Sequence, residues 1–275
     1  MNVVVTGAAS GIGRRLVTLL AAAGHHLIAA DIEQHALEQL AIDSSWPRDR
    51  VLLVALDVRS SDAWKTVLGE VTSHWRSLDA LVNVAGVLRV EPVDQLKADS
   101  VALQLDVNSK GVILGTQAAA SVMVPQKHGR IINVASMAAL APVPGISVYS
   151  ASKFAVRGFS LAAAQELEPH GVQVSVVCPD AVDTPMVDYQ LDFPTAALTF
   201  SGPRILSADE VARAVANMLQ GKPRLELVIP WSRGFLARIS MMLPRGLVRR
   251  ISQSLTRKGL ARQQDIRRQR EESSH

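Results

Sequence analysis

Tyr149 and Lys153 stand four residues apart in Tyr149-Ser150-Ala151-Ser152-Lys153, a spacing that puts both side chains on one face of a helix. A free tyrosine ionises near pH ~10, too high for acid–base work near neutrality. A neighbouring ammonium favours the phenolate and lowers that value, so a tyrosine with a lysine one turn on is a candidate general acid/base. Ser136 closes the run Asn133-Val134-Ala135-Ser136 and can donate its hydroxyl to a carbonyl or alkoxide oxygen. Asn108, in Leu105-Asp106-Val107-Asn108, offers an amide that could hold a water linking Lys153 to solvent. Taken singly, Tyr149 reads as a packing tyrosine and Lys153 as a solvated helix charge. The chain has only 2 tyrosines, however, and this one has both a lysine and a serine at useful separations.

A second group of residues suits a nucleotide. Thr6-Gly7-Ala8-Ala9-Ser10-Gly11-Ile12-Gly13 follows the apolar run Val3-Val4-Val5 and opens an amphipathic stretch, Arg14 to Ala23. A strand, a glycine turn and a helix in that order cradle a phosphate. Gly7 permits the tight turn, and Gly11 and Gly13, with Ser10 and Ile12 beside them, let backbone approach a pyrophosphate and let helix pack on strand. The next strand ends at Asp31, where a carboxylate can accept hydrogen bonds from ribose hydroxyls and repel a 2′-phosphate. Ser10 and Ile12 lie in the turn and Ile32 follows Asp31; neither Ser10 nor Ile32 supplies the cation a 2′-phosphate would need. NAD is therefore expected over NADP. Asp57-Val58 could offer a carboxylate to the adenine amino group and an apolar wall to its ring. Asn83-Val84-Ala85-Gly86 ends a further strand with small residues that suit close approach.

The elements that must hold these residues alternate. Strands are expected at 2–6, 26–30, 51–56, 79–83, 130–134, 172–177 and 225–229, and helices near 12–23, 33–42, 61–76, 100–124, 150–168 and 208–219. Continuous apolar strands separated by helices predict an α/β fold, a doubly wound parallel sheet (Rossmann fold) with helices on both faces. Ser207-Ala208-Asp209-Glu210 matches a capping box that starts the last core helix. The stretch 185–206 carries Pro185, Pro194, Gly202 and Pro203 without a steady period and reads as a long loop. A catalytic domain over 1–230 and a basic amphipathic tail over 231–275 is the economical division.

Composition sets the frame. A chain of 275 residues, 48% hydrophobic and 20% charged, has ample core for one α/β domain. No signal peptide is visible, and no apolar run approaches the ~18 residues that span a bilayer. The single cysteine, Cys178, excludes an internal disulfide and fits a reducing, cytoplasmic compartment. No metal-ligand spacing surrounds it, so it reads as a small buried residue at a strand end. Residues 231–275 carry 11 Lys/Arg against 3 Asp/Glu, whereas the remainder carries 18 against 22. The body is mildly acidic and the tail strongly basic.

In combination these residues resemble the short-chain dehydrogenase/reductase family, single-domain Rossmann enzymes with a Tyr-x-x-x-Lys site, over residues 2 to about 230. The resemblance implies Tyr149 as general acid/base and Lys153 as the residue that binds the nicotinamide ribose and lowers the tyrosine pKa. It implies Ser136 orienting the substrate oxygen and Asn108 holding a proton-relay water. Pro179, Val182 and Thr184 would adjoin the nicotinamide. Two departures stand out: the family's Asn-Asn-Ala-Gly is Asn83-Val84-Ala85-Gly86, and its Pro-Gly is Pro179-Asp180, which brings a carboxylate near the nicotinamide.

In family terms 185–206 is a substrate lid, and Met186, Val187, Tyr189, Leu191, Phe193, Leu198 and Phe200 make it apolar. An apolar lid suits a lipid-, steroid- or terpenoid-like substrate, although such a loop can also simply pack on the core. The expected activity is NAD(H)-dependent interconversion of a secondary alcohol and a ketone. Reduction of 3-oxoacyl thioesters and a non-catalytic nucleotide-sensing scaffold are the alternatives. In the tail, Trp231, Phe235, Ile239, Met242 and Leu243 recur at helical spacing, Pro244 and Gly246 interrupt, and Leu247, Ile251 and Leu255 resume among Arg249, Arg250, Arg257 and Lys258. Two short helices of this kind suit peripheral contact with an anionic membrane, or packing on a neighbouring subunit of a homo-oligomer. No recognition motif for nucleic acid accompanies the charge.

Overall fold

Alternation within the first strand sets the layers. In β1 (Asn2–Thr6), Val3 and Val5 turn to one face and Val4 to the other, and all three are buried. The structure, a computed structural model, describes residues 1–273. On the Val3/Val5 face, α1 (Gly11–Ala22) contributes Leu16, Val17 and Leu20, and α8 (Ala208–Gln220) contributes Val215 and Met218. On the Val4 face, α3 (Ser61–His74) brings Trp64 and Val67, while α5 (Gly111–Gln126) and α6 (Ser147–Leu167) bring Ala118, Met123 and Ala163. Each fully buried leucine or valine here is worth roughly 1.5–3 kcal/mol of burial, so both helical layers are needed to hold the sheet.

The remaining strands of the sheet are β2 (His26–Asp31), β3 (Val51–Ala55), β4 (Ala80–Asn83), β5 (Gly129–Val134), β6 (Val172–Pro179) and β9 (Glu226–Ile229). Their spatial order is β3-β2-β1-β4-β5-β6-β9, and every neighbouring pair is parallel. All seven strand expectations correspond to these strands, with ends differing by a few residues. The order reverses between β1 and β4, which opens a crevice at the carboxyl ends of the strands. There the Thr6 hydroxyl accepts the backbone N–H groups of Val84 (3.0 Å) and Ala85 (3.2 Å) and holds the two strand ends together.

Ahead of the tail, two regions differ from the sequence expectation. The helix expected over 100–124 is α4 (Ala98–Leu105) and α5 joined by a π-helical turn, Asp106–Lys110. The stretch 185–206 is not a plain loop. It contains α7 (Pro185–Gln190) and a 3₁₀ helix, Pro194–Ser201. Its base is pinned where β7 (Val182–Asp183) pairs in parallel with β8 (Leu206–Ser207). Helical period is absent from this stretch because its elements are short and wrap around a small apolar core of Val187, Leu191 and Phe200.

The tail forms α9 (Trp231–Ser240) and α10 (Arg245–Ser273), the second far longer than the short piece expected. Past Leu255 its sequence has almost no apolar stripe, so helical packing is invisible there. Polar contacts with the lid supply it instead. Gln263 is buried and its amide donates to the carbonyls of Gln190 (2.8 Å), Leu191 (3.2 Å) and Phe193 (3.0 Å). Gly259 lies so close to the lid that a Cβ there would come within 2.0 Å of the Ala197 carbonyl oxygen. Arg262 reaches the Gly202 carbonyl, and Arg270 pairs with Asp183 and Asp188. The tail therefore packs on the lid of its own chain. α2 (Gln34–Asp43) completes the helices, against β2 and β3.

Candidate active site

A cavity of about 1170 Å³ occupies the crevice and runs from the glycine turn to the underside of the lid and tail. At one end lie Gly7, Ser10, Gly11 and Ile12. Gly7 has φ +68°, and a Cβ on it would sit 2.8 Å from the Ala85 backbone nitrogen, so only glycine fits this turn. Ser10 precedes α1 in an extended conformation without capping the helix through its side chain, and no acidic residue lies in the first turn. The uncapped N–H groups of α1 thus face the cavity, a ready site for a phosphate. Gly13 lies behind the wall, where its missing side chain lets α1 press on β1: a Cβ would meet the Gly7 carbonyl at 2.1 Å. Its part is packing rather than contact.

Asp31 sits at the end of β2 with both carboxylate oxygens held, one by the Ala9 N–H (2.9 Å) and the other by the Glu33 N–H (3.1 Å). These bonds fix an anion on the cavity wall beside Ile32, where a ribose diol would be received. Asp57 lines the same cavity. Its carboxylate is gripped by Arg59, through Nε (2.9 Å to Oδ1), Nη2 (2.7 Å to Oδ2) and the backbone N–H (2.9 Å), and that bond holds its pKa below the usual carboxylate range. Val58 supplies the apolar wall as expected. Ala85 and Gly86 line the cavity floor, whereas Asn83 is buried behind it and donates to the Asn133 side chain (2.9 Å). Asn133 in turn donates to Ser160 (2.9 Å), so Asn83 ties the ends of β4 and β5 to α6.

At the other end Ser136, Tyr149 and Lys153 converge. Lys153 is buried, donates to the Val134 carbonyl (3.0 Å), and places its Nζ 5.7 Å from the centre of the Tyr149 ring. Burial pushes the Tyr149 phenol up to about 12, the Ser136 hydroxyl beside it offsetting part of the rise. Burial also brings the Lys153 ammonium down to about 8. The sequence argument had the ammonium lowering the tyrosine. In this geometry desolvation is the larger effect and the net shift is upward. Ser136 itself is oriented by the Ala138 N–H, which its hydroxyl accepts at 3.1 Å.

Asn108 stands in the π-helical turn, a feature common at functional sites because it displaces backbone from regular pairing. Its side chain does not reach the cavity. The amide donates to Val87 O (2.8 Å) and Ser152 Oγ (3.0 Å), and its oxygen accepts the Val87 N–H (2.8 Å). Both donors of this side chain are taken, so it braces the Gly86–Val87 backbone beside Lys153. A Cβ on Gly86 would lie 3.3 Å from Asn108 Oδ1 and 3.5 Å from Lys153 Nζ.

Pro179, Val182 and Thr184 line the cavity between its two ends. Asp180 does so too, but its carboxylate is turned onto Arg233 of α9, 2.8 Å from Nε. Burial raises its pKa and the guanidinium opposes that rise. Arg233 also donates to the Ser201 hydroxyl (2.8 Å), joining the end of β6, the lid and the tail at one point. Sequence reasoning missed this junction, together with Arg59 and the tail side chains Leu236, Ile239, Ile251 and Leu255 that close one wall. The aspartate replacing a family glycine was its one available signal. Cys178 is buried, its thiol pushed up to about 12 by burial, and takes no part.

The chain resembles known proteins over most of its length. A family profile described as short chain dehydrogenase matches residues 1–193. A cyclopentanol dehydrogenase of Comamonas sp. (strain NCIMB 9872) is 34% identical over 217 residues, 78% of this chain and 87% of that protein. A 3-oxoacyl-[acyl-carrier-protein] reductase of Thermotoga maritima is 34% identical over 184 residues, 67% of this chain and 75% of that protein. Among solved structures, the closed form of serine dehydrogenase complexed with NADP⁺ superposes with a TM-score of 0.75 at 31% identity, covering 83% of this chain and 94% of that one.

Proposed function

The chain belongs to the short-chain dehydrogenase family, an oxidoreductase of CH–OH groups, and from that premise we propose that it interconverts a secondary alcohol and a ketone on an apolar substrate with NAD(H). One observation carries this reading. A single cavity holds the uncapped start of α1 and Asp31 at one end and Ser136, Tyr149 and Lys153 at the other. The glycine turn fits a pyrophosphate because the N–H groups at the start of α1 carry no side-chain cap and face the cavity beside Gly11 and Ile12. Asp31 would hold the ribose diol, Lys153 the nicotinamide ribose, and Val182 and Thr184 would adjoin the nicotinamide, which supplies or accepts hydride when bound.

The chain's own residues then move the proton. In reduction the neutral Tyr149 phenol gives its proton to the carbonyl oxygen as Ser136 donates a hydrogen bond to the same atom; in oxidation the phenolate takes the alcohol proton. Asp31 favours NAD over NADP because a fixed carboxylate repels a 2′-phosphate, and the nearby Arg59 is already neutralised by Asp57. The apolar lid and tail favour a lipid-, steroid- or terpenoid-like substrate. Reduction of 3-oxoacyl thioesters is the second reading, supported by the Thermotoga relative. In the proposed reading the chain works in the cytoplasm as a homo-oligomer, with an anionic membrane rather than nucleic acid as the partner of its tail.

A panel of hydroxysteroids, terpenoid alcohols, hydroxyacyl thioesters and polyols, assayed with NAD⁺ and NADP⁺, tests the proposal. The apolar secondary alcohols should give the highest kcat/KM, with NAD⁺ preferred. Turnover of polyols alone, or a lower KM for NADP⁺ than for NAD⁺, would contradict it.

A further inference from the structure

The cavity has an apolar rim that water should not tolerate uncovered. Trp231 is 75% exposed, Phe235 56%, Leu236 65% and Met242 86%, and Leu247, Ile251 and Leu255 on α10 also stand partly in solvent. Trp231, Phe235 and Met242 recur along one side of α9 and just past its end. Leu236, Ile251 and Leu255 have a second face on the cavity, so the exposed patch and the cavity wall are one continuous surface. Patches of this kind mark interaction sites in soluble proteins.

The helices that carry the patch are strongly basic. Between Trp231 and Gln264 the sequence has 8 Lys/Arg and no Asp/Glu. Arg233, Arg238 and Arg262 are used internally, by Asp180, Glu226 and the Gly202 carbonyl. Arg249, Arg250, Arg257 and Lys258 are exposed, and no carboxylate among the described residues pairs with them. We infer that this rim docks on an anionic bilayer surface, so that the substrate passes from lipid into the cavity; the second half rests on the reading of the cavity as an apolar alcohol and ketone site. Exposed apolar side chains and unpaired cations on the same helices are the composition of an interfacial helix. A second copy of the chain is a poorer occupant, because a two-fold interface would set the same unpaired cations near one another. A nucleic acid would meet the cations but leave Phe235 and Met242 in water.

Co-sedimentation of the full chain, in the presence of NADH, with phosphatidylcholine vesicles lacking or containing phosphatidylglycerol tests the docking. Binding should require phosphatidylglycerol and fall with salt, and the Trp231 emission should shift to the blue, a change absent from Trp231→Ser. Replacing Arg249, Arg250, Arg257 and Lys258 by Gln should weaken vesicle binding by about 600-fold, since each basic residue near the surface contributes about fivefold. Trp231→Ser with Phe235→Ser and Met242→Ser should abolish binding, yet leave NADH binding and turnover of a short water-soluble alcohol unchanged, because none of the three lines the cavity. The same variant should lose turnover of a long-chain alcohol dissolved in anionic vesicles. Vesicle binding is read without turnover, so failure of the alcohol chemistry leaves the docking result standing. A full chain that stays in the supernatant with anionic vesicles at low salt overturns the inference. So does a dimer that the Trp231→Ser, Phe235→Ser, Met242→Ser variant dissociates while the parent ignores lipid.

Discussion

Tyr149 is buried, and this decides how its chemistry depends on pH. With its pKa pushed up to about 12, the phenol needed for reduction is fully present near neutrality. The phenolate needed for oxidation is scarce and grows about tenfold per pH unit. Lys153, lowered to about 8, is charged below that pH and loses its proton above it. Oxidation should therefore speed up steeply from about pH 6 to about pH 8, whereas reduction should be flat there and fall at higher pH as the ammonium is lost. Profiles of kcat/KM in both directions check this, and a flat oxidation limb would remove Tyr149 as the base. Tyr149→Phe should abolish turnover while leaving NADH affinity nearly intact, as measured by fluorescence titration. Lys153→Ala should lose both, because the same ammonium would hold the ribose. At the other end of the cavity, Asp31→Ala with Ile32→Arg should move preference toward NADP(H), by exchanging a repelling carboxylate for a guanidinium that pairs with a 2′-phosphate. The ratio of KM values for the two cofactors measures it.

Single elements carry their own tests. The capping box expected from Ser207 and Glu210 is complete: the Ser207 hydroxyl accepts the Glu210 N–H at 3.1 Å and the Glu210 carboxylate accepts the Ser207 N–H at 2.9 Å. Ser207→Ala should lower stability by about 1 kcal/mol in urea denaturation, through the first turn of α8. Arg204 and the cap hold Glu210 down to about 2, so its contribution is full above the ordinary carboxylate range and is lost progressively as the pH falls toward that value. The lid offers a sharper case. Gln263 is the buried donor through which α10 holds three lid carbonyls, and Gln263→Leu would leave them without it. The cost should be about 1–3 kcal/mol, felt locally as faster amide exchange over 185–201. KM for substrate should rise with NADH affinity unchanged, because α10 does not reach the nucleotide end.

At the scale of the molecule, the sheet positions one half of the chemistry and the tail closes the other. The reversal of strand order between β1 and β4 creates the crevice, and β5, β6 and α6 deliver Ser136, the Pro179–Asp180 corner and the Tyr149–Lys153 pair to it. α9 and α10 then fold back across the lid, tied by Arg233 to Asp180 and by Gly259 to the Ala197 backbone. Gly259→Val would force α10 away from the lid, since even a Cβ meets that carbonyl oxygen at 2.0 Å. Its expected signature is a higher KM for large apolar substrates together with protease sensitivity of the lid, while kcat for a small soluble alcohol changes little.

Local sequence was enough for the parallel sheet, the glycine turn, Asp31, the helix bearing Tyr149 and Lys153, and the Ser207 cap. Apolar period, glycine placement and capping chemistry act over a few residues and can be read one element at a time. It was not enough for Asn83 and Asn108, which brace the cavity from behind: whether a polar residue faces a cavity or its wall depends on neighbours distant in the chain. The upward shift of Tyr149 escaped for the same reason, because desolvation is set by how many groups enclose the phenol rather than by the lysine one turn away. The lid and tail were the least legible. Their helices are held by backbone carbonyls, single arginines and a buried glutamine, contacts that leave no period in the sequence and exist only once residues 185–206 and 231–273 have met.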